Sequence, residues 1–215
     1  MPNICELINV SKSYGRRLVI DNLSLAIQKG EMVAITGKSG SGKSTILNIL
    51  GLLEKPDSGI VQVCSEKNPP VGSGRANRLR RNAISYLFQN FALIDHATVD
   101  DNLEIPLIYA KLNRKEKQEM KQSALERVGL NISLKQNIHE LSGGEQQRVA
   151  IARILLKPCE LILADEPTGS LDADNRNEIL AILQGLHQEG KTIIIVTHDD
   201  VVAEACSRII RLDAS

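Results

Sequence analysis

The segment that most constrains this chain is residues 32–44. A short apolar run, Met32-Val33-Ala34-Ile35-Thr36, stops on glycine and leads into Gly37-Lys38-Ser39-Gly40-Ser41-Gly42-Lys43-Ser44, and residues 44–50 then have helical character. A strand, a glycine-rich loop and a helix in that order predict the opening unit of an α/β domain. Glycines let successive backbone N–H groups turn inward without a Cβ clash, and the helix N-terminus adds partial positive charge. Such a loop cradles phosphates. Lys43 is then placed to reach the β- and γ-phosphates of a nucleotide, and the Ser44 hydroxyl to hold Mg²⁺. The same letters also fit a flexible Gly/Ser loop, but that reading leaves the flanking strand and helix without a purpose.

The rest of the chain fits around this unit. Residues 23–27 and 59–63 read as strands, and 28–31 as the turn before the phosphate loop's strand. Residues 65–74, rich in proline and glycine, read as an irregular connection, and 84–88 as another strand. Asn113 with Glu116 predicts a capped helix over 114–128, with Met120, Ala124, Leu125 and Val128 as its apolar stripe. The continuous apolar runs 161–164 and 192–196 predict central parallel strands covered on both faces. Residues 173–189 read as the crossover helix between them, closed by Gly190. Together these give an α/β domain with a parallel core, an antiparallel N-terminal portion and an inserted helical lobe.

Two further segments carry chemistry. The run Leu161-Ile162-Leu163-Ala164 ends in Asp165-Glu166. Asp165 is placed to bind Mg²⁺ or its water, and Glu166 to polarise the attacking water. Leu141-Ser142-Gly143-Gly144-Glu145-Gln146-Gln147 reads first as a helix start with Ser142 as N-cap. A hydroxyl and two glycines also leave that N-terminus bare for an anion.

These segments, in this order, resemble the ABC transporter ATPase family, whose signature motif is residues 141–147; the resemblance covers essentially the whole chain. It implies the P-loop NTPase fold of ABC ATPase type, a mixed core sheet with an antiparallel N-terminal β portion and an inserted α-helical subdomain. The division it implies is one domain over 1–215, with 1–88 and 157–215 as catalytic core and 89–156 as helical subdomain. It also implies that ATP with Mg²⁺ is held by residues Gly37 to Thr45 of one subunit and by Ser142, Gly143 and Gly144 of a second, in a head-to-tail homodimer. Tyr14 matches the aromatic that stacks on adenine. Gln89 matches the glutamine that touches Mg²⁺ and water, and His198 the histidine that contacts the γ-phosphate. Ser170-Leu171-Asp172 matches the loop that crosses the dimer interface, with Asp172 among the nucleotide-side residues. Read singly, Tyr14 is also a surface aromatic, Gln89 a strand-end hydrogen bonder and His198 a helix cap. Residues 168–172 and 141–147 are similar to the branch of lipoprotein-releasing, macrolide-export and cell-division subunits. Tyr86-Leu87-Phe88-Gln89-Asn90-Phe91-Ala92-Leu93-Ile94 is most similar to bacteriocin or antimicrobial-peptide export ATPases. The partner implied is a separate membrane permease, docking around the stretch from Phe91 to Asn102.

The bulk properties agree with these expectations. Lys plus Arg and Asp plus Glu are 26 each, which removes any general electrostatic argument for nucleic acid. No apolar run is long enough to span a bilayer, and the start lacks a basic segment before an apolar core. Cys5, Cys64, Cys159 and Cys206 are scattered, as buried thiols in a reducing compartment are. The expected location is the cytoplasm, peripheral on the inner membrane face. Arg75, Arg78, Arg80 and Arg81 read as a solvated helix face, with anionic lipid as the other reading. His96, His139 and His187 lack metal-ligand spacing. Three other functions stay open: a division-type subunit regulating a cell-wall hydrolase through a membrane partner, a soluble ATPase acting on ribosomes or DNA, and a small-molecule kinase. The kinase leaves the signature segment unexplained, and the ribosome and chromosome types need two cassettes or a long coiled coil.

Overall fold

The computed structural model describes residues 2–169 and 171–212. Three strands open the chain: β1 (Asn3–Tyr14), β2 (Arg17–Gln28) and β3 (Met32–Gly37). Helix α1 (Lys43–Leu50) follows the glycine loop, then come β4 (Ser58–Val63), the short β5 (Glu66–Lys67), α2 (Gly74–Asn82) and β6 (Ile84–Leu87). The middle of the chain is helical, with α3 (Val99–Glu104), a 3₁₀ turn (Ile105–Leu107), α4 (Arg114–Arg127) and α5 (Gly143–Leu155). The end alternates: β7 (Leu161–Asp165), α6 (Ala173–Gln188), β8 (Thr192–Val196), α7 (Asp200–Glu204) and β9 (Arg208–Leu212).

The strands form two separate sheets. One is antiparallel, in the order β2-β1-β4-β5; the other is parallel throughout, in the order β6-β7-β8-β3-β9. β2 and β3 are neighbours in sequence yet belong to different sheets, with the predicted turn at Lys29–Gly30 between them. β1 escapes a reading by alternation because it is bulged. Asn9 takes the left-handed conformation at φ 50, and the β1–β2 register slips between Leu7 and Val10. A bulge breaks the period of two that marks a strand.

Alternation within the parallel strands divides the apolar side chains between two layers. Leu161 and Leu163 of β7 and Ile194 and Val196 of β8 pack with α1 and the antiparallel sheet. Ile162 and Ala164 of β7 and Ile193 and Ile195 of β8 pack against α5, α6 and the helical segment before them. The inserted helices therefore share one continuous core with a face of the sheet.

Helix α4 has the predicted capping box, with Asn113 Oδ1 accepting from Glu116 N–H and the Glu116 carboxylate from Asn113 N–H. Its stripe differs from expectation. Ala124, Leu125 and Val128 are buried, but Met120 is exposed and Lys121 takes the inward place at 3 % exposure. Lys121 Nζ lies 2.7 Å from Asp100 and 2.7 Å from Glu104, both on α3, so the burial of its stem is compatible with its charge. The arginine cluster is not one solvated face. Arg75 and Arg78 face Glu66, Arg80 is partly buried with Nη1 donating to Leu52 O, and Arg81 lies 3.7 Å from the Tyr109 ring centroid. The four cysteines are free; burial holds the Cys5 thiol well above its usual range, and pushes the partly buried Cys64 and Cys206 up to about 11.

Candidate functional site

The glycine loop leaves the C-terminal edge of the parallel sheet at β3. Gly42 caps α1 at φ 90, where an added Cβ would also lie 3.0 Å from Val19 O, so glycine is required on both counts. Lys43 Nζ donates to Gly37 O at 2.8 Å and Lys38 O at 3.0 Å, folding the ammonium over the concavity. Inside the loop the Ser41 hydroxyl is buried with no hydrogen-bond partner among the described residues.

β7 places the two acids. Asp165 shares the sheet face of Leu161 and Leu163, which is the face of α1, and accepts from Ser44 Oγ at 3.1 Å. Burial raises the Asp165 pKa, with the Ser44 hydrogen bond and the Lys43 charge opposing the rise. The strand alternation then breaks, because Glu166 takes φ 47, an uncommon backbone conformation for a residue with a Cβ. Its N–H donates to Val196 O at 2.9 Å, which fixes the turn against the end of β8. The Glu166 side chain is only 12 % exposed, and its Oε1 lies 2.8 Å from His198 Nδ1. That hydrogen bond and the carboxylate charge raise the His198 pKa.

A cavity of about 740 Å³ collects Tyr14, Gly37, Ser39, Gly40, Gly42, Lys43, Ser44, Thr45, Gln89, Glu166 and His198. Residues from five separate parts of the sequence, predicted as one site, thus line one space. Tyr14 is half-exposed, its hydroxyl donating to Glu54 Oε2 at 2.6 Å and Lys12 Nζ lying 5.5 Å from its ring centroid. Arg17 and Val19 also line the cavity and were not foreseen. Arg17, opposite Tyr14 in the β1–β2 register, donates from Nη2 to Gly40 O at 3.3 Å.

Ser142, Gly143, Gly144 and Asp172 do not line this cavity. Ser142 caps α5 through a reciprocal pair with Glu145, and Ser142 and Gly143 are exposed. Gly144 is buried beneath Asn175, whose Oδ1 would lie 2.1 Å from an added Cβ, so a side chain there would displace the Asn175 amide. Asp172 caps α6, accepting from Asn175 N–H and Nδ2 at 2.9 and 2.8 Å. Ser170 lies outside the described residues.

The donor set suits a hard divalent cation beside a polyphosphate. A hydroxyl and a half-buried carboxylate, whose ionised form burial disfavours, are held together, and a lysine and a hydroxyl without a partner among the described residues face the loop.

Comparison with known proteins points the same way. The family model described as ABC transporter matches residues 20–169. The chain is similar to the macrolide export ATP-binding/permease protein MacB 2 of Yersinia pestis bv. Antiqua, 45 % identical over 213 residues, which is 97 % of this chain and 31 % of that protein. It is likewise similar to MacB of Bartonella quintana, 46 % identical over 90 % of this chain and 29 % of that protein. The chain thus spans about a third of the length of these relatives. Among solved structures, it superposes on the dimeric post-hydrolysis state of the ATP-binding cassette MJ0796 bound to ADP and Pi, with a TM-score of 0.90 and 38 % identity over 98 % of this chain and 96 % of that one. CbiO1 of Clostridium perfringens, part of the transporter complex cbiONQ, gives a TM-score of 0.86 at 29 % identity, over 99 % of this chain and 85 % of that one. The chain belongs to the ABC transporter family and is an ATPase domain of it.

Proposed function

We propose that this chain dimerises head to tail around two ATP molecules and drives a separate membrane permease, for export of a peptide, lipoprotein or antimicrobial. The observation that carries the reading is the split of the site. Lys43, Ser44, Glu166 and His198 line one cavity, with Asp165 bonded to Ser44, while the exposed Ser142 and Gly143 lie outside that cavity and in this reading meet a second subunit's nucleotide. In this reading residues 89–156 act as the helical subdomain that carries Ser142–Gly144 to the partner.

Mg²⁺ would be held by Ser44 and Asp165, with Gln89 nearby, and would supply neutralisation of phosphate charge. The chain's own residues do the rest. Lys43 leaves its two carbonyls for the phosphates. Glu166, nearly enclosed and fixed by its turn, accepts a proton from water, and His198 carries positive charge to the γ-phosphate side. Tyr14 offers its ring to adenine.

The permease side of the reading rests on a groove of about 540 Å³, lined by Leu53, Tyr86, Phe88, Ile105, Tyr109 and Ala92 among others. It adjoins the stretch from Phe91 to Asn102, of which only Ala92 lines it. Arg80, Arg81, Arg153 and Lys157 stand in its wall, and none has a carboxylate within ion-pair distance among the described residues. An apolar segment bearing an acid is the complementary ligand. Among the described residues no helix is long and apolar enough to cross a membrane.

The test is the Glu166→Gln protein. Hydrolysis should fall by about 10²- to 10⁴-fold, the range for loss of a general base. With saturating Mg-ATP the variant should elute and scatter light as a dimer, and without nucleotide as a monomer. Monomer alone under Mg-ATP would reject the two-subunit site.

A further inference from the structure

Helix α5 begins at the Ser142–Gly144 segment, and near its far end one side chain bonds to the turn that follows Gln89. Arg153 donates from Nη1 to Ala92 O at 2.6 Å and from Nη2 to Phe91 O at 2.9 Å. Those two residues follow Gln89-Asn90 in a tight turn and are both left-handed, at φ 61 for Phe91 and φ 48 for Ala92. Neither is glycine, so each carries a Cβ where the backbone region disfavours one, and the conformation persists only if something outside the turn holds it. The turn's own bonds are Phe91 N–H to Phe88 O at 3.0 Å and Ala92 N–H to Asn90 O at 2.6 Å. The guanidinium has no carboxylate within 4 Å among the described residues, so these carbonyls are what its charge addresses.

The same helix also holds the other catalytic turn. Gln147, fully buried one turn into α5, donates to Pro167 O at 2.7 Å, immediately after Glu166. One rigid rod is therefore bonded to the backbone just after Glu166 and to the turn that follows Gln89, while its first residues in the proposed dimer face the second subunit.

We propose that Arg153 is a positioning residue for ATP hydrolysis: it locks the 88–92 turn in the backbone conformation that presents Gln89 to the phosphate loop, and so couples Gln89 to the placement of α5. The inference rests on the reading of Gln89 as part of the site. Arg153 touches no nucleotide; it acts through the turn. Because the nucleotide itself is gripped by residues 37–45, removing Arg153 should alter turnover and leave binding almost untouched.

Steady-state ATPase assays of the full chain test this. Arg153→Ala should lower kcat by about tenfold to a hundredfold, as small misplacements of a catalytic group do. KM for Mg-ATP should stay within about twofold, since uniform binding is retained. Adding Ala92→Gly to Arg153→Ala supplies a residue that adopts positive φ freely, and should recover a substantial part of kcat. Arg153→Lys keeps a donor at the turn, as the Lys157 ammonium does for Arg80 O and Ile84 O, and should fall between wild type and alanine. If the alanine variant is unfolded at the assay temperature by circular dichroism, the lysine variant carries the same kcat-against-KM test. Unchanged kcat in both variants overturns the proposal. So does a kcat loss that Ala92→Gly leaves untouched, which would mean that Arg153 only fills the groove wall. A wild-type chain without ATPase activity would overturn the proposed function instead, which keeps the two failures apart.

Discussion

The parallel sheet and helix α4, in the helical segment between β6 and β7, are held by different forces. In the sheet, Ile162, Leu163, Ile193, Ile194 and Ile195 are wholly inaccessible, and the central strands β7 and β8 are sealed on both faces by apolar side chains. In the helical segment, α4 contributes a narrow stripe to the core and is otherwise organised by polar devices. These are capping boxes at Thr98 and Asn113 and the cluster of Lys121 and Lys117 with Asp100 and Glu104. The difference suits the proposed division of labour: a sheet that must hold acids and loop in fixed register, and a segment that must move against it. Burial of apolar area is insensitive to salt, whereas partly exposed ion pairs are screened.

The largest effect expected from this contrast is in the sheet. Leu163→Ala removes a fully buried side chain that packs against α1 and touches Gly51. It should cost about 2–5 kcal/mol, the range for buried leucine, read as a lower urea midpoint with unchanged slope. The loss should be the same in 0.05 and 0.5 M salt. A loss that shrinks with salt would show that the sheet is not held by burial alone.

The counterpart in the helical segment is Lys121→Met, which keeps the apolar stem and removes the charge. Asp100 and Glu104 have side chains 50 % and 38 % exposed, so water solvates them once the ammonium is gone. The expected cost is about 1–2 kcal/mol, below that of a fully buried pair, and it should diminish in high salt. The pH dependence has a definite sign. Lys117 and then Lys121 depress the Glu104 pKa, so this part of the stability is present above the usual 4.5 and is lost as pH falls through the depressed value. The variant should therefore show a shallower acid limb. An unchanged acid limb would assign the cluster no stabilising role.

What the sequence disclosed divides along the same line. Residues 161–164 and 192–196 were legible because strands sealed on both faces need nothing but apolar side chains. The phosphate loop and Asp165-Glu166 were legible because their chemistry dictates residue type at fixed spacing. β1 was not, since the bulge at Asn9 erases its alternation. The exchange of Met120 for Lys121 at the core was hidden as well, because the partners that make a buried lysine tolerable lie on α3, about twenty residues away. Arg17 and Arg153 were missed for a related reason: both address backbone carbonyls, and no residue pattern marks an acceptor that every residue possesses.

The smallest expected effect lies where the sheet ends. His198 sits at the end of β8 with Glu166 as its principal neighbour; Asp199 adds to the attraction and Lys43 opposes it, while Arg176 engages Asp199 at 3.2 Å. Its pKa is raised above the usual 6.5, first by the hydrogen bond to Glu166 and then by that carboxylate's charge. A raised value means that the protonated form is favoured on folding. The pair's contribution is then fully present below 6.5 and is lost as pH climbs through the raised folded value. With the imidazole 70 % exposed, solvent screens most of the interaction, so the shift is a better observable than any change in stability. Titration of the His198 ring protons by NMR, in nucleotide-free protein, should give a midpoint above 6.5 that moves down towards it in Glu166→Gln. A midpoint indifferent to that substitution would separate His198 from Glu166 and leave the sheet edge with two independent groups rather than one charged pair.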